Sequence, residues 1–250
     1  MEEKINRKIK PNLGETVVKY EKNYLTEVSM KINFNRNPRI LEDDSIKVFK
    51  EIFSKEFTSM AFEKNIFKNG EFYNDLWIFQ KHDKEINLTD SSLELLYDIN
   101  AEKNFKEILN DVELIMEALN ESNIEEANYI GLRYINEITP LEKVEDWNEW
   151  INPNLVNLNF KTEKSKLIRG MSRYEYRIDD FFVNIQFGQY NLNYPNDHIR
   201  NNFILDYESY VCYEDTRYLK KNIVKMHNII CEFFEESIEY KLKEDLKIIG

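Results

Sequence analysis

Asn128-Tyr129-Ile130-Gly131-Leu132-Arg133-Tyr134-Ile135-Asn136-Glu137-Ile138 is the stretch on which the fold turns. Side chains of an extended chain alternate between two faces. Here one face takes Ile130, Leu132, Tyr134 and Ile138, and the other takes Tyr129, Gly131, Arg133, Ile135 and Glu137. A strand that is apolar on one side and only partly polar on the other is expected to be covered on both sides, or nearly so. Arg133 then sits where an unpaired charge is costly, so it needs a carboxylate or a bound anion. The candidate acid is Glu27, on an early strand. Structurally the two make a buried ion pair joining that strand to the central one; functionally they frame a polar pocket. On the buried-pair reading, Arg133→Ala strands a charge and costs about 3–5 kcal/mol. Asn136, on the otherwise apolar face, has no evident partner.

Working outward, the chain alternates strand-like and helix-like segments. Thr16–Phe34 is strand-like and closes at a turn, Asn35–Pro38. Asp43, Asp44 and Ser45 offer a helix start, and Ile46, Phe49, Ile52, Phe53, Phe57 and Met60 recur at helical spacing. Strands are expected at Phe72–Gln80, Glu85–Asp90 and Leu93–Ile99, with a turn at His82-Asp83-Lys84. The clearest helix carries Phe105, Ile108, Leu109, Val112, Ile115, Met116 and Leu119 as one stripe, with acidic residues and Lys106 on its other faces. After the central strand, Thr139-Pro140-Leu141-Glu142 has the form of a capping box. It predicts a helix through Val144, Trp147, Trp150 and Ile151 that stops at Asn152-Pro153. Strands follow at Leu167–Ile178, Phe181–Gln189 and Asn202–Tyr213, the first two as a hairpin turning at Asp179-Asp180. One long helix, about Arg217–Asp245, ends the chain, with Leu219, Ile223, Met226, Ile230 and Phe233 inward.

The expected fold is therefore α+β: an antiparallel-rich sheet covered by amphipathic helices, with a long C-terminal helix. It is read as one unit over 1–250, with two similar halves, 14–138 and 139–250, sharing a sheet as the alternative. The composition supports a packed globule, with 42% hydrophobic and 14% aromatic residues. A formal charge of −12 disfavours non-specific binding to nucleic acid or to an anionic membrane. It suits solubility or a basic protein partner. The N-terminus lacks the apolar core of a signal peptide and no apolar run reaches membrane length, which points to the cytoplasm. Cys212 and Cys231 fall on different elements and make neither a metal spacing nor a disulfide framework.

With its central strand in context, the chain resembles a sporadically distributed, uncharacterised bacterial family marked by a Gly-Leu-Arg-Tyr-Ile-Asn strand, here Gly131–Asn136. The early Leu25-Thr26-Glu27-Val28 aligns with it, as do Trp77 and Phe79 followed by Asn87-Leu88-Thr89, and His227 followed by Phe233-Phe234-Glu235. The chain departs from the pattern at Asn23-Tyr24, where prolines usually stand, and at Glu137, which replaces a basic position. The resemblance implies no established activity. The family's patchy distribution is similar to that of genes on mobile or defence islands.

Arg169, Arg173 and Arg177 repeat every fourth residue and would form a basic row on one strand face. Such a row suits phosphate or a carboxylate-rich partner. It equally suits cross-strand pairing with Glu175, Asp206 or Glu208. The candidate anion- or partner-binding residues are thus Arg133, Asn136, Glu27, Arg169, Arg173 and Arg177. No catalytic residue, metal ligand or cofactor is assigned: His82, His198 and His227 lack metal spacing, and with six glycines the chain has no P-loop or dinucleotide fingerprint. The leading expectation is a non-catalytic interaction or accessory component whose protein partner is encoded nearby, in a bacterial defence or toxin–antitoxin setting. The alternative is a module binding a small anionic, nucleotide-like ligand. A homo-oligomer is left open.

Overall fold

The computed structural model describes residues 20–68, 71–98, 105–140, 144–156, 169–190 and 202–247. Its first half runs β1 (Leu25–Phe34), α1 (Asp43–Phe53), β2 (Ser59–Lys68), β3 (Glu71–Lys81), β4 (Lys84–Leu88), β5 (Ser92–Asp98) and α2 (Phe105–Glu121). The second half runs β6 (Glu126–Ile138), α3 (Pro153–Val156), β7 (Gly170–Ile178), β8 (Phe181–Tyr190), β9 (Asn202–Asp215), α4 (Leu219–Ser237) and α5 (Tyr240–Leu246). The nine strands form one antiparallel sheet in the order β2-β3-β4-β5-β1-β6-β9-β8-β7. Both halves wrap by the same rule. The first strand lies beside the last, and the others follow in reverse order outward. β1 and β6 meet antiparallel at the centre, with Met30 opposite Leu132.

Alternation then sorts the side chains. Val28, Met30 and Ile32 of β1, Ile130, Leu132 and Tyr134 of β6, and Leu205 and Tyr207 of β9 all point to one side and are buried. The stripe of α2, Ile108, Val112, Ile115 and Leu119, and that of α4, Leu219, Ile223, Met226 and Ile230, close over them. α2 packs between α1 and α4, and α4 lies on β6 and β9. Each fully buried aliphatic in this layer contributes about 1.5–3 kcal/mol relative to exposure. The structure thus has the expected α+β class, with a single antiparallel sheet and a long C-terminal helix. No helix among the described residues covers the other face of β6, where Tyr129, Arg133, Ile135 and Glu137 stay partly exposed.

Three predicted segments differ. The helical spacing that runs to Met60 ends at Phe53. Phe57 is buried one turn beyond, its amide bonding the Phe53 carbonyl at 2.8 Å, while Ser59–Lys68 is an edge strand. Phe57 therefore keeps a helical offset from Phe53 while the backbone has already left the helix. The capping box at Thr139–Glu142 lies partly outside the described residues, and Val144–Ile151 is no α-helix. It holds one 3-10 turn, Trp147–Glu149, capped by the Asp146 carboxylate, which accepts from the Asn148 amide at 3.0 Å. Pro153, expected as a stop, instead opens α3, with the Asn152 side chain accepting from the Asn154 amide.

The third difference has the same cause as the second. The C-terminal helix is broken at Ile238, which is buried, extended (φ −112°, ψ 141°) and bridged to Ile151. The Asn152 amide bonds the Ser237 carbonyl at 2.9 Å and the Glu239 amide bonds the Trp150 carbonyl at 2.8 Å. Backbone groups that either segment would use for a continuous helix are instead paired across the two.

Candidate functional site

The face of the sheet away from α2 and α4 carries Glu27, Ser29 and Lys31 of β1, Glu94 and Leu96 of β5, Gly131 and Arg133 of β6, and Asp206, Glu208 and Tyr210 of β9. At its centre is a hollow of about 590 Å³, lined among others by Thr26, Glu27, Ser29, Lys31, Glu94, Arg133 and Glu208. The register makes this arrangement. Ser29 stands opposite Arg133 on one side, and Arg133 stands opposite Glu208 on the other.

Glu27 and Arg133 both line the hollow, but they are not the ion pair the sequence suggests. Arg133 makes a two-pronged bond to Asp206, Nε to Oδ1 at 2.9 Å and Nη2 to Oδ2 at 2.7 Å. These bonds raise the guanidinium pKa against the opposing effect of burial, and Glu27 adds a weaker pull from a distance. Fork-on-fork geometry is the strong form of this contact. The Arg133 side chain is 42% exposed and that of Asp206 10%. Removal of Arg133 strands the buried Asp206 carboxylate, but because the half-exposed Arg133 is what covers it, truncation also opens it to water, and Arg133→Ala is expected to cost about 2 kcal/mol. Chemical denaturation checks this; a loss as large as the buried-pair expectation would mean that water does not reach Asp206 once Arg133 is gone.

Gly131 makes room for its neighbour's ring in the position it takes. Tyr129 lies on the same face two residues earlier, and a methyl group at 131 would come within 2.7 Å of Cε1 and Cζ of its ring. Free of that clash, the ring leans along β6, donates its hydroxyl to Glu208 Oε1 at 2.5 Å and stacks on Tyr210 at 5.3 Å. Tyr210 in turn stacks on Phe182 at 5.1 Å. A polar row runs alongside: Arg173 Nε donates to Asn184 Oδ1 at 2.7 Å, and Asn184 Nδ2 donates to Glu208 Oε2 at 3.4 Å.

The other candidate residues are distributed differently. Arg173 and Arg177 share the uncovered face of β7, three strands from Arg133, and both are exposed. Arg177 donates to the Asp179 carbonyl at 3.1 Å and lies over the Phe182 ring. Both thus donate to neutral oxygens, while Asp206 and Glu208 serve β6 instead. Arg169 precedes the strand and is exposed. Asn136, an even-numbered position on β6, points to the helix side. There it is buried and donates to the Leu205 carbonyl at 3.4 Å, away from the hollow.

Two clusters escaped the sequence reading. Lys84 donates to both oxygens of Asp111, at 2.6 and 2.8 Å, and Tyr97 donates to the same carboxylate at 2.6 Å. Glu56 accepts from Lys84 at 3.0 Å and also from Lys81. The signal for Asp111 is its spacing, three residues after Ile108 and four before Ile115, inside the apolar stripe of α2. The second cluster is on α4. His227 sits one turn before Cys231, 3.6 Å from Nε2 to Sγ, stacks on Phe105 at 3.7 Å and meets the Tyr134 hydroxyl through Nδ1 at 2.8 Å. Burial pushes the imidazole down to about 4 and the thiol up to about 12. Both groups are therefore neutral near pH 7, and the contact holds no thiolate–imidazolium pair of the kind that activates a nucleophile. Among the described residues no group of three or more potential ligands is placed to hold a metal ion. No helix among them is long and apolar enough to cross a membrane. No protein-family model matches the chain, and no curated protein matches it.

Proposed function

We propose that the chain is a non-catalytic interaction component that docks a basic segment of a protein partner on the uncovered face of its sheet. The observation that carries this reading is the charge in and beside the central hollow. Four carboxylates, Glu27, Glu94, Asp206 and Glu208, stand against two cations, Lys31 and Arg133, and Arg133 is committed to Asp206. Walls of one predominant sign steer and orient an oppositely charged partner. The same arrangement weighs against a small anionic ligand in the hollow, because such a ligand would face Glu27, Glu94 and Glu208 at short range. An accessory role beside an effector, in a bacterial defence or toxin–antitoxin setting, rests on the family resemblance alone.

The test is capture of partners from native-host extract by the full chain and by the variant Glu27→Lys/Glu94→Lys, with mass spectrometry of stoichiometric species. A basic protein held by the wild type is expected, released as salt rises and lost in the variant. Capture that survives the double reversal sinks the reading. So does a thermal shift with nucleotides in the purified wild type that the double reversal strengthens.

A further inference from the structure

β7 ends the sheet formed by the described residues, and it is exposed along nearly its whole length, with Met171, Tyr174 and Tyr176 at 41%, 42% and 45%. Its backbone groups divide by parity. Ile178 opposite Phe181 closes the two-residue turn Asp179-Asp180, so the even-numbered residues of β7 direct their N–H and C=O groups to β8. The odd-numbered residues, Met171, Arg173, Glu175 and Arg177, direct theirs outward. An edge of this length is a template for another strand unless something guards it. The side chains here are charged but of alternating sign, which guards against some registers and favours others.

We infer that two copies of this chain pair antiparallel through β7 about a twofold axis at Tyr174, joining their sheets edge to edge. Tyr174 is the midpoint of Gly170–Ile178, so this register uses the whole edge. It places Arg173 opposite Glu175 of the second copy, and Glu175 opposite Arg173 of the second copy, while Tyr174 meets its own counterpart. All four outward-facing residues find partners. Moving the axis by one residue to Glu175, a two-residue change of register, would set Glu175 against Glu175 and Arg173 against Arg177; an axis at Arg173 would set Arg173 against itself. Like charges directly opposite are destabilising. The groups needed are in place: Arg173 uses Nε on Asn184, which leaves its terminal nitrogens, and Tyr210 donates to Oε1 of Glu175, which leaves Oε2. A twofold, self-complementary contact is the commonest way a chain closes into an oligomer.

Sedimentation velocity of the purified full chain over a concentration series reads this directly and needs no docking partner, so it succeeds or fails apart from the reading of the acidic hollow. The wild type is expected to dimerise. Glu175→Arg alone, or Arg173→Glu alone, should weaken self-association by roughly tenfold, since two opposite-charge pairs become like-charge pairs. The double variant Arg173→Glu/Glu175→Arg should restore it. Circular dichroism confirms folding of each variant. Should a reversal unfold the chain, Met171→Pro removes an outward N–H without taking a bond from β8 and should likewise weaken the dimer. A wild type that stays monomeric at every concentration, a dimer indifferent to the reversals, or a double variant that fails to recover would each overturn the proposal.

Discussion

Asp111→Ala is expected to lower the free energy of unfolding by about 3 kcal/mol, at the lower end of the range for breaking a buried ion pair. The Lys84 and Asp111 side chains are only 7% and 4% exposed. Truncation of the acid leaves the Lys84 ammonium without its two shortest bonds, close to the Phe57 ring, and takes from the Tyr97 hydroxyl the Asp111 acceptor. Glu56, 3.0 Å away, still faces Lys84, and this keeps the loss at the lower end. Because a domain is typically stable by about 5–15 kcal/mol in all, such a change is large. Urea denaturation of Asp111→Ala, Lys84→Met and the pair Lys84→Met/Asp111→Leu measures it. The pair should recover most of the loss, since apolar replacement of both charges removes the stranded group. If both single variants unfold at the wild-type midpoint, the cluster is not a determinant of stability. Its position explains why it should be: it ties β4 and β5 to α2 and to the turn after α1, at the corner where the helix layer meets the outer sheet.

Stability is also expected to fall by about 3 kcal/mol as pH drops from 6.5 to 4, through His227. Burial holds its folded pKa near 4, against an ordinary value of 6.5. Between those values the unfolded chain takes up a proton that the folded chain refuses, so unfolding becomes easier as pH falls. Above 6.5 both forms are neutral and below 4 both are charged, so the group contributes no slope outside the window. The groups around it explain the refusal: the Phe105 ring on its face, the Cys231 thiol, and the Tyr134 hydroxyl at Nδ1. Two carboxyls act lower. Glu56 is held below its usual value of 4.5 by bonds from Lys81 and Lys84. At Asp245 burial works the other way, and bonds from Lys22 and Tyr24 outweigh it, leaving it below 3.8. Their stabilisation is present at higher pH and is lost only as pH falls through those depressed values. Thermal melts from pH 7 to 4 for the wild type and His227→Gln separate the contributions. The variant should have a flatter profile between 6.5 and 4.5, and an unchanged profile there would assign the slope to other groups.

Much of this architecture was legible in the residues because the relevant forces are local and periodic. The period-2 pattern of β6 and β8 and the 3.6-period stripes of α2 and α4 name their own buried faces, and Asp179-Asp180 names its own turn. The misreadings share a different origin. Ile238 sits at a helical spacing from Phe234 but is extended because Ile151, far away in sequence, takes it into a bridge. Trp147 and Ile151 have helical spacing and are buried without an α-helix. Lys84 reads as a turn residue and Asp111 as part of a polar face, yet the sheet brings them within 2.6 Å.

The candidate site divides in the same way. By its sequence alone this protein is α+β, acidic, and organised on a central strand whose Arg133 requires a carboxylate or a bound anion, since pattern and charge are properties of the chain. That the carboxylate is Asp206 and not Glu27 was decided by register. β9 pairs with β6 so that Asp206 and Glu208 flank Arg133, while the strand alternation turns Asn136 to the opposite side. That Glu27, Glu94 and Glu208 converge on one hollow was likewise decided by strand order, which sets β5, β1, β6 and β9 side by side although they are distant in sequence. The physical reason is that a strand's periodicity specifies which residues share a face, while its neighbours are chosen by the packing of the whole sheet.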